Sequence, residues 1–154
     1  MKRCMQPLLK KLLLRAPAMA FVLSAVCIDL TGSQANDLSR EQYDYILNCQ
    51  GCHRADGSET PGSVPPIRNH VARFLALPGG RDFIVRVPGV ASAPLSDEAI
   101  ASLMNWLLAT FDPQHVPENF SPYTASEVRA LRARPLTGQV AETRAALIKS
   151  LPLD

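Results

Sequence analysis

Residues 45–53 read Tyr-Ile-Leu-Asn-Cys-Gln-Gly-Cys-His and carry the most specific chemical pattern in the sequence. Cys49 and Cys52 are separated by two residues, and His53 follows directly. Cysteines with this spacing at a helix end place both sulfurs on one side, and the adjacent imidazole can reach a bound iron from that side. The pattern predicts haem c attached through Cys49 and Cys52, with His53 as an iron ligand.

Three other interpretations of the motif are less well supported. A zinc site would need more ligands, usually a second Cys or His pair, and no further Cys follows Cys52. A thioredoxin-like redox pair is expected near a βαβ pattern, and the sequence has none. A disulfide between Cys49 and Cys52 would close a very short loop and stabilise little. Haem is the favoured interpretation.

The N-terminus has the anatomy of an export signal. Basic residues at 2–15 precede an uncharged run of 13 residues at 16–28, and small residues stand at Ser33 and Ala35. The apolar run is too short to cross a bilayer as a helix. Lipidation of Cys27 is a weaker alternative, because bulky Val26 precedes it. The sequence predicts a signal peptide over the first 35 residues, cleaved after Ala35, and a periplasmic protein.

Removal of this leader changes the composition of the chain. The remaining residues include 11 basic and 13 acidic side chains, so the net charge falls from +2 to −2. The excess of positive charge belongs to the leader, and it gives no support to a nucleic-acid partner. Met104 is the only methionine that remains.

Two helices can be located from their capping residues. Ser39 and Gln42 form a capping-box pattern before a helix that leads into the cysteine motif. Ser96, followed by two acidic residues, is a good N-cap for a helix over residues 97–111. The second helix has a single apolar face, made of Ile100, Leu103, Met104, Leu107 and Phe111.

The other segments give weaker signals. Residues 71–77 indicate a short helix, whereas residues 83–87 have β-type side chains and are equally compatible with a short helix or a loop. Thr124 and Glu127 predict a capped helix to about Arg134, and an amphipathic stretch follows at about 140–151. The chain is expected to be all-α.

Residues 45–57 and 95–107 resemble the class I c-type cytochromes. In that family, an N-terminal helix with the haem motif crosses a C-terminal helix, and an aromatic residue of the latter packs at the crossing. Trp106 matches this aromatic residue, and Tyr45 matches the one four residues before the first Cys. The resemblance covers about residues 39–111. It implies a haem domain at 36–111 with a cytochrome c-like fold, and a helical extension at 112–154 packed on it.

The chain departs from the family pattern at two places. Glu41 stands where the family usually has a glycine at the helix contact. The family's second iron ligand is a methionine just before the last helix, but residues 87–96 contain neither Met nor His. Three alternatives stay open for the sixth ligand of the iron: Met104, His70 or no protein side chain.

The resemblance implies a monohaem carrier of single electrons, with no catalytic residues and no enzymatic activity. Its redox partners would be a periplasmic dehydrogenase and an oxidase or another cytochrome, and no stable membrane span would remain after cleavage of the leader. Two alternatives stay open. One is a haem protein that binds a gas or peroxide at an open sixth position, and the other is a haem subunit of a larger dehydrogenase.

Overall fold

The computed structural model describes residues 37–62 and 64–151, and the predicted leader lies outside this part of the chain. Within these residues there are six α-helices, two short 3-10 helices and no strand, only an isolated bridge between Thr60 and Val64. The α-helices are α1 Arg40–Asn48, α2 Gly80–Arg86, α3 Pro88–Ala91, α4 Asp97–Phe111, α5 Ala125–Arg132 and α6 Val140–Lys149. The 3-10 helices are Ala72–Ala76 and Pro113–His115. The predicted all-α class is confirmed.

Helix α1 begins with the predicted capping box. The Ser39 hydroxyl accepts from the Gln42 backbone N–H at 3.2 Å, and the Gln42 side chain accepts from the Ser39 N–H at 2.8 Å. These two bonds satisfy backbone donors that the first helical turn would otherwise leave unpaired. The start of α1 is thereby fixed, and its last turn leads directly into Cys49.

Helix α4 also follows its sequence signals. The Ser96 hydroxyl accepts from the Ala99 N–H at 3.2 Å, and Asp97 and Glu98 occupy the first turn. All five residues of the predicted apolar face are buried. Leu103, Leu107 and Phe111 of this face belong to one hydrophobic cluster. Ile100 and Met104 belong to another, so α4 contributes to both.

The first group, the motif-side cluster, lies between α1 and α4 and consists of Tyr45, Ile67, Leu103, Leu107 and Phe111. Trp106 packs against it, as the resemblance implies. The Tyr45 ring lies 5.8 Å from the Trp106 ring and 5.1 Å from the Phe111 ring, measured between centroids. Aromatic side chains therefore fill the contact between α1 and α4.

The second group, the main core cluster, is larger and joins α2, α4 and α5. Its buried members are Ala72, Phe74, Leu77, Phe83, Ile84, Val85, Ala93, Ile100, Ala101, Met104, Leu108, Tyr123, Val128 and Leu131. Three of them, Tyr123, Val128 and Leu131, belong to the segment beyond residue 111. This part of the extension completes the main core.

Residues 83–87, which the sequence left undecided, mostly belong to α2. Phe83, Ile84 and Val85 are consecutive and all buried, so their pattern shows no helical period. Gly80 at the start of α2 touches the backbone of Phe74, where a Cβ would lie 1.9 Å from the Phe74 carbonyl oxygen. Tertiary packing therefore outweighs the β-type propensity of these side chains, and the segment is helical.

The C-terminal helices follow the predicted order. The Thr124 hydroxyl accepts from the Glu127 N–H at 3.3 Å and caps α5. The Glu127 carboxylate does not complete a capping box, because it accepts from Arg81 of α2 at 2.6 and 2.8 Å. Helix α6 has no buried residue, although Val140 and Leu147 pack on the main core cluster. None of the described helices has the length and apolar character that a membrane crossing requires.

Candidate haem site

The cysteine motif continues the last turn of α1. The Cys49 N–H donates to the Tyr45 carbonyl at 2.9 Å, and the N–H groups of Cys52 and His53 donate to the Cys49 carbonyl at 3.1 and 2.9 Å. Residues 49–53 therefore form one compact turn. The structure brings together the three site residues that the sequence predicts.

The two thiols are not bonded to each other. Cys49 is half-buried and packs against the motif-side cluster, whereas Cys52 is exposed. Burial raises the pKa of the Cys49 thiol to about 11, and the nearby Asp44 and Cys52 add to this shift. The Cys49 sulfur is thus a protonated thiol at neutral pH.

The His53 imidazole is in a form that can bind iron. Its Nδ1 atom is buried and has no hydrogen-bond partner among the described residues. Burial lowers the pKa of His53, which favours the neutral ring. A neutral imidazole keeps a nitrogen lone pair for a metal.

The surroundings of the motif also fit a haem. Two thiols can hold the vinyl groups, one neutral imidazole can bind the iron, and the motif-side cluster offers apolar surface beside Cys49. In the described part of the chain, no group of three or more His, Cys, Asp and Glu side chains is arranged to hold a metal ion by itself. The donor set is that of haem c.

The loop after His53 is tied back to the helices. The Tyr45 hydroxyl donates to the Arg54 carbonyl at 2.8 Å, and the Gly57 carbonyl accepts from the N–H groups of Ile67 and Arg68 at 2.9 Å each. A salt bridge between Arg68 and Asp56 at 3.1 Å also joins the two ends of this loop. Tyr45 therefore ties the start of this loop to α1, and Gly57 holds Ile67 and Arg68 close to that start.

The two residues considered as a sixth ligand lie apart from each other. Met104 is 2% exposed and belongs to the main core cluster, whereas Cys49 packs on the motif-side cluster. His70 is exposed, and its Nδ1 lies 2.9 Å from the Arg68 carbonyl. The structure does not group either side chain with the cysteine motif.

Sequence reasoning missed Asp112, a fully buried carboxylate at the end of α4. It accepts from the Ala72 N–H at 2.7 Å and pairs with Nδ1 of His115. His115 is therefore a partly buried partner of Asp112. The pattern Asp-Pro after a helix indicated only the helix end, so nothing in the sequence pointed to this buried pair.

A helical chain whose first described helix leads directly into Cys-x-x-Cys-His has the features of a c-type cytochrome. Comparison with family models finds no match. The chain is similar, however, to two cytochrome c-552 proteins, both from Thermus thermophilus. Each is 37% identical over 109 residues, covering 59% of this chain and 83% of one relative and 74% of the other.

This identity over most of the relatives' length shows that the chain belongs to the cytochrome c-552 family of c-type cytochromes. It is a monohaem cytochrome that carries covalently bound haem c and acts in electron transfer. The cytochrome c-like helical fold implied by the resemblance is confirmed. Redox partner proteins follow from the same membership.

Proposed function

We propose that Cys49 and Cys52 attach the haem, that His53 binds its iron, and that the protein carries single electrons in the periplasm. The observation that supports this most directly is the turn at 49–53, which joins two free thiols and a neutral imidazole at the end of α1. The bound haem supplies a metal centre that gains and loses one electron.

The protein's own residues bind and shield the cofactor. Cys49 and Cys52 would hold the haem through thioether bonds, in which each S–H group adds across one vinyl group, with the sulfur on one vinyl carbon and the proton on the other. His53 would bind the iron through a ring nitrogen. The motif-side cluster, against which Cys49 packs, includes buried Leu103 and Leu107 and would limit the access of water to that side of the haem.

The domain arrangement in this proposal has three parts. Residues 1–35 are the signal peptide, 36–111 the haem domain and 112–154 a helical extension packed on it. Burial of Val128 and Leu131 in the main core cluster supports close packing of the extension. Mass spectrometry of protein from an exporting host is expected to give a mature chain beginning at Asn36. An intact N-terminus would contradict the proposed leader.

The attachment is tested by cysteine substitution. The Cys49→Ser/Cys52→Ser protein should lose all haem in a denaturing gel, while each single variant should keep a haem with one thioether and a shifted reduced spectrum. His53→Ala should prevent a stable haem protein, because it removes the proposed iron ligand. Covalent haem in the double variant would contradict the assignment.

The carrier role is tested by electrochemistry of the haem-loaded protein. A single reversible one-electron wave, without turnover of added peroxide, is the expected result. The donor is proposed to be a periplasmic dehydrogenase, and the acceptor an oxidase or another cytochrome. A peroxidase rate well above that of free haem would favour an enzyme instead.

A further inference from the structure

The described residues contain few side chains that could bind the iron opposite His53. Strong axial ligands of haem iron in electron-transfer proteins are thioethers, imidazoles and amines, which here means Met104, His70, His115 and Lys149.

Met104 is held in the protein core. It lies in the main core cluster with Val85 of α2 and Val128 of α5, both of which are completely buried. The α4 residues that share a cluster with Tyr45 of α1 are Leu103, Leu107 and Phe111 instead. Turning the thioether toward the cysteine motif would leave a cavity between α2, α4 and α5. Met104 therefore serves as a packing residue.

His70 lies on the loop that follows His53 itself. This loop returns to Gly57 through the Ile67 and Arg68 N–H groups. His70 lines an open groove of about 520 Å³ with Glu59, Arg68 and Arg144, among others, and none of Cys49, Cys52 and His53 lines that groove. The imidazole thus lines a groove to which the cysteine motif does not contribute.

The remaining two donors are also placed elsewhere. His115 pairs through Nδ1 with the fully buried Asp112, which in turn holds the Ala72 N–H. Lys149 is exposed at the last turn of α6. Neither belongs to the segments that form the motif-side cluster.

The connection between α2 and α4 also contains no thioether, imidazole or amine that could bind the iron. Residues 87–96 contain no Met, His or Lys. Arg132 of α5 holds this connection by donating to the carbonyls of Ala91, Ala93 and Leu95 at 3.0, 2.7 and 2.9 Å. The guanidinium also bonds Asp97 at 3.0 Å and is 18% exposed. Arg132 of the extension thus fixes the conformation of this connection. Its side chains are all apolar or hydroxyl groups.

We infer that the chain leaves the sixth position of the haem iron without a protein ligand, and that this position binds a small external ligand such as carbon monoxide. The inference rests on the proposed attachment at Cys49, Cys52 and His53. Water is the ligand expected in the ferric protein. The position would form a second binding site, for small neutral or anionic molecules, on a protein whose family role is electron transfer.

The experiment uses the full-length haem-loaded protein with two substitutions, Met104→Leu and His70→Gln. Met104→Leu conserves volume in the core, and His70→Gln changes an exposed side chain. Optical and EPR spectra of the ferric protein report spin state, and CO titration of the ferrous protein reports access to the iron. High-spin ferric haem and one CO per ferrous haem are expected in all three proteins, with unchanged CO affinity.

A low-spin ferric haem that does not bind CO would overturn the inference, whichever residue proves to be the ligand. A change to high spin in Met104→Leu or in His70→Gln would then identify that ligand. A denaturing gel separates this failure from failure of the proposed function. If covalent haem is present and low-spin, only the open position is wrong, whereas absence of covalent haem contradicts both proposals.

Discussion

Gly57 shows how one residue links the haem-motif loop to the helix contact. Its φ is +74°, in the left-handed region, and a Cβ at this position would lie 2.8 Å from the Phe111 ring. Phe111 in turn packs on Tyr45 and on Trp106. The absence of a side chain at Gly57 therefore allows the loop after His53 to lie directly on the aromatic contact between α1 and α4.

Substitution of Gly57 by alanine should destabilise the protein by about 2–3 kcal/mol, because backbone strain and a clash with the aromatic ring add together. Gly62 is the matched control, since its φ is +76° but nothing lies within 4 Å of a Cβ there. Gly62→Ala should cost only about 1 kcal/mol. The free energy of unfolding from urea titration measures both. Equal losses would show that the contact with Phe111 does not matter.

At the scale of elements, Arg132 connects α5 to the segment that precedes α4. It donates to three backbone carbonyls and to Asp97. Arg132→Gln should lower the free energy of unfolding by about 2–4 kcal/mol, because partly buried carbonyls lose a charged donor. Urea titration of the haem-loaded protein provides the measurement.

Arg129 is the control for this substitution, because it also lies on α5 and also bonds Asp97, but its side chain is 70% exposed. Arg129→Gln should change stability by no more than about 0.5 kcal/mol. A similar small effect of both substitutions would mean that the carbonyl contacts of Arg132 contribute nothing.

The ion pair between Arg81 of α2 and Glu127 of α5 predicts a dependence on pH. Hydrogen bonding to Arg81 lowers the pKa of Glu127 below its ordinary value of 4.5. Its contribution is therefore present above pH 4.5 and is lost as the pH falls below this value. Glu127→Gln should cost about 1 kcal/mol at pH 7, and its difference from the wild type should shrink in acid.

Glu118→Gln serves as the control, because Glu118 is exposed and forms no ion pair within the described residues. It should unfold like the wild type at every pH. Thermal unfolding followed by circular dichroism between neutral and acidic pH gives the comparison. A constant difference between Glu127→Gln and the wild type over this range would contradict the assigned role of the carboxylate.

In the whole molecule, capping residues in the sequence predicted two helices, α1 and α4. Ser39 and Ser96 are caps whose hydroxyls act within three residues, so a short sequence window contains all of the interaction. The contact of α1 with α4 could be predicted only through the resemblance, which pointed to Tyr45 and Trp106. Phe111, the third ring at this contact, was expected only as part of an apolar face.

Long-range contacts were beyond the reach of sequence patterns. The chemistry of the site could be predicted, because Cys49, Cys52 and His53 are adjacent in sequence. The Arg132 contacts with residues 91–97 and the bond from Ala72 to buried Asp112 join groups more than thirty residues apart. The position of Met104 depends on α2 and α5, whose Val85 and Val128 are 19 and 24 residues away from it. These contacts involve no local signature, since an arginine or an aspartate near a helix end is usually solvated.

Attachment of the haem by Cys49 and Cys52 is tested by mass spectrometry of proteolytic peptides from protein produced in a host that attaches haem c. One peptide spanning residues 49–53 should carry the mass of a single haem, with both sulfurs resistant to alkylation. A peptide whose two cysteines are alkylated or joined in a disulfide, without haem mass, would show that Cys49 and Cys52 do not hold the haem.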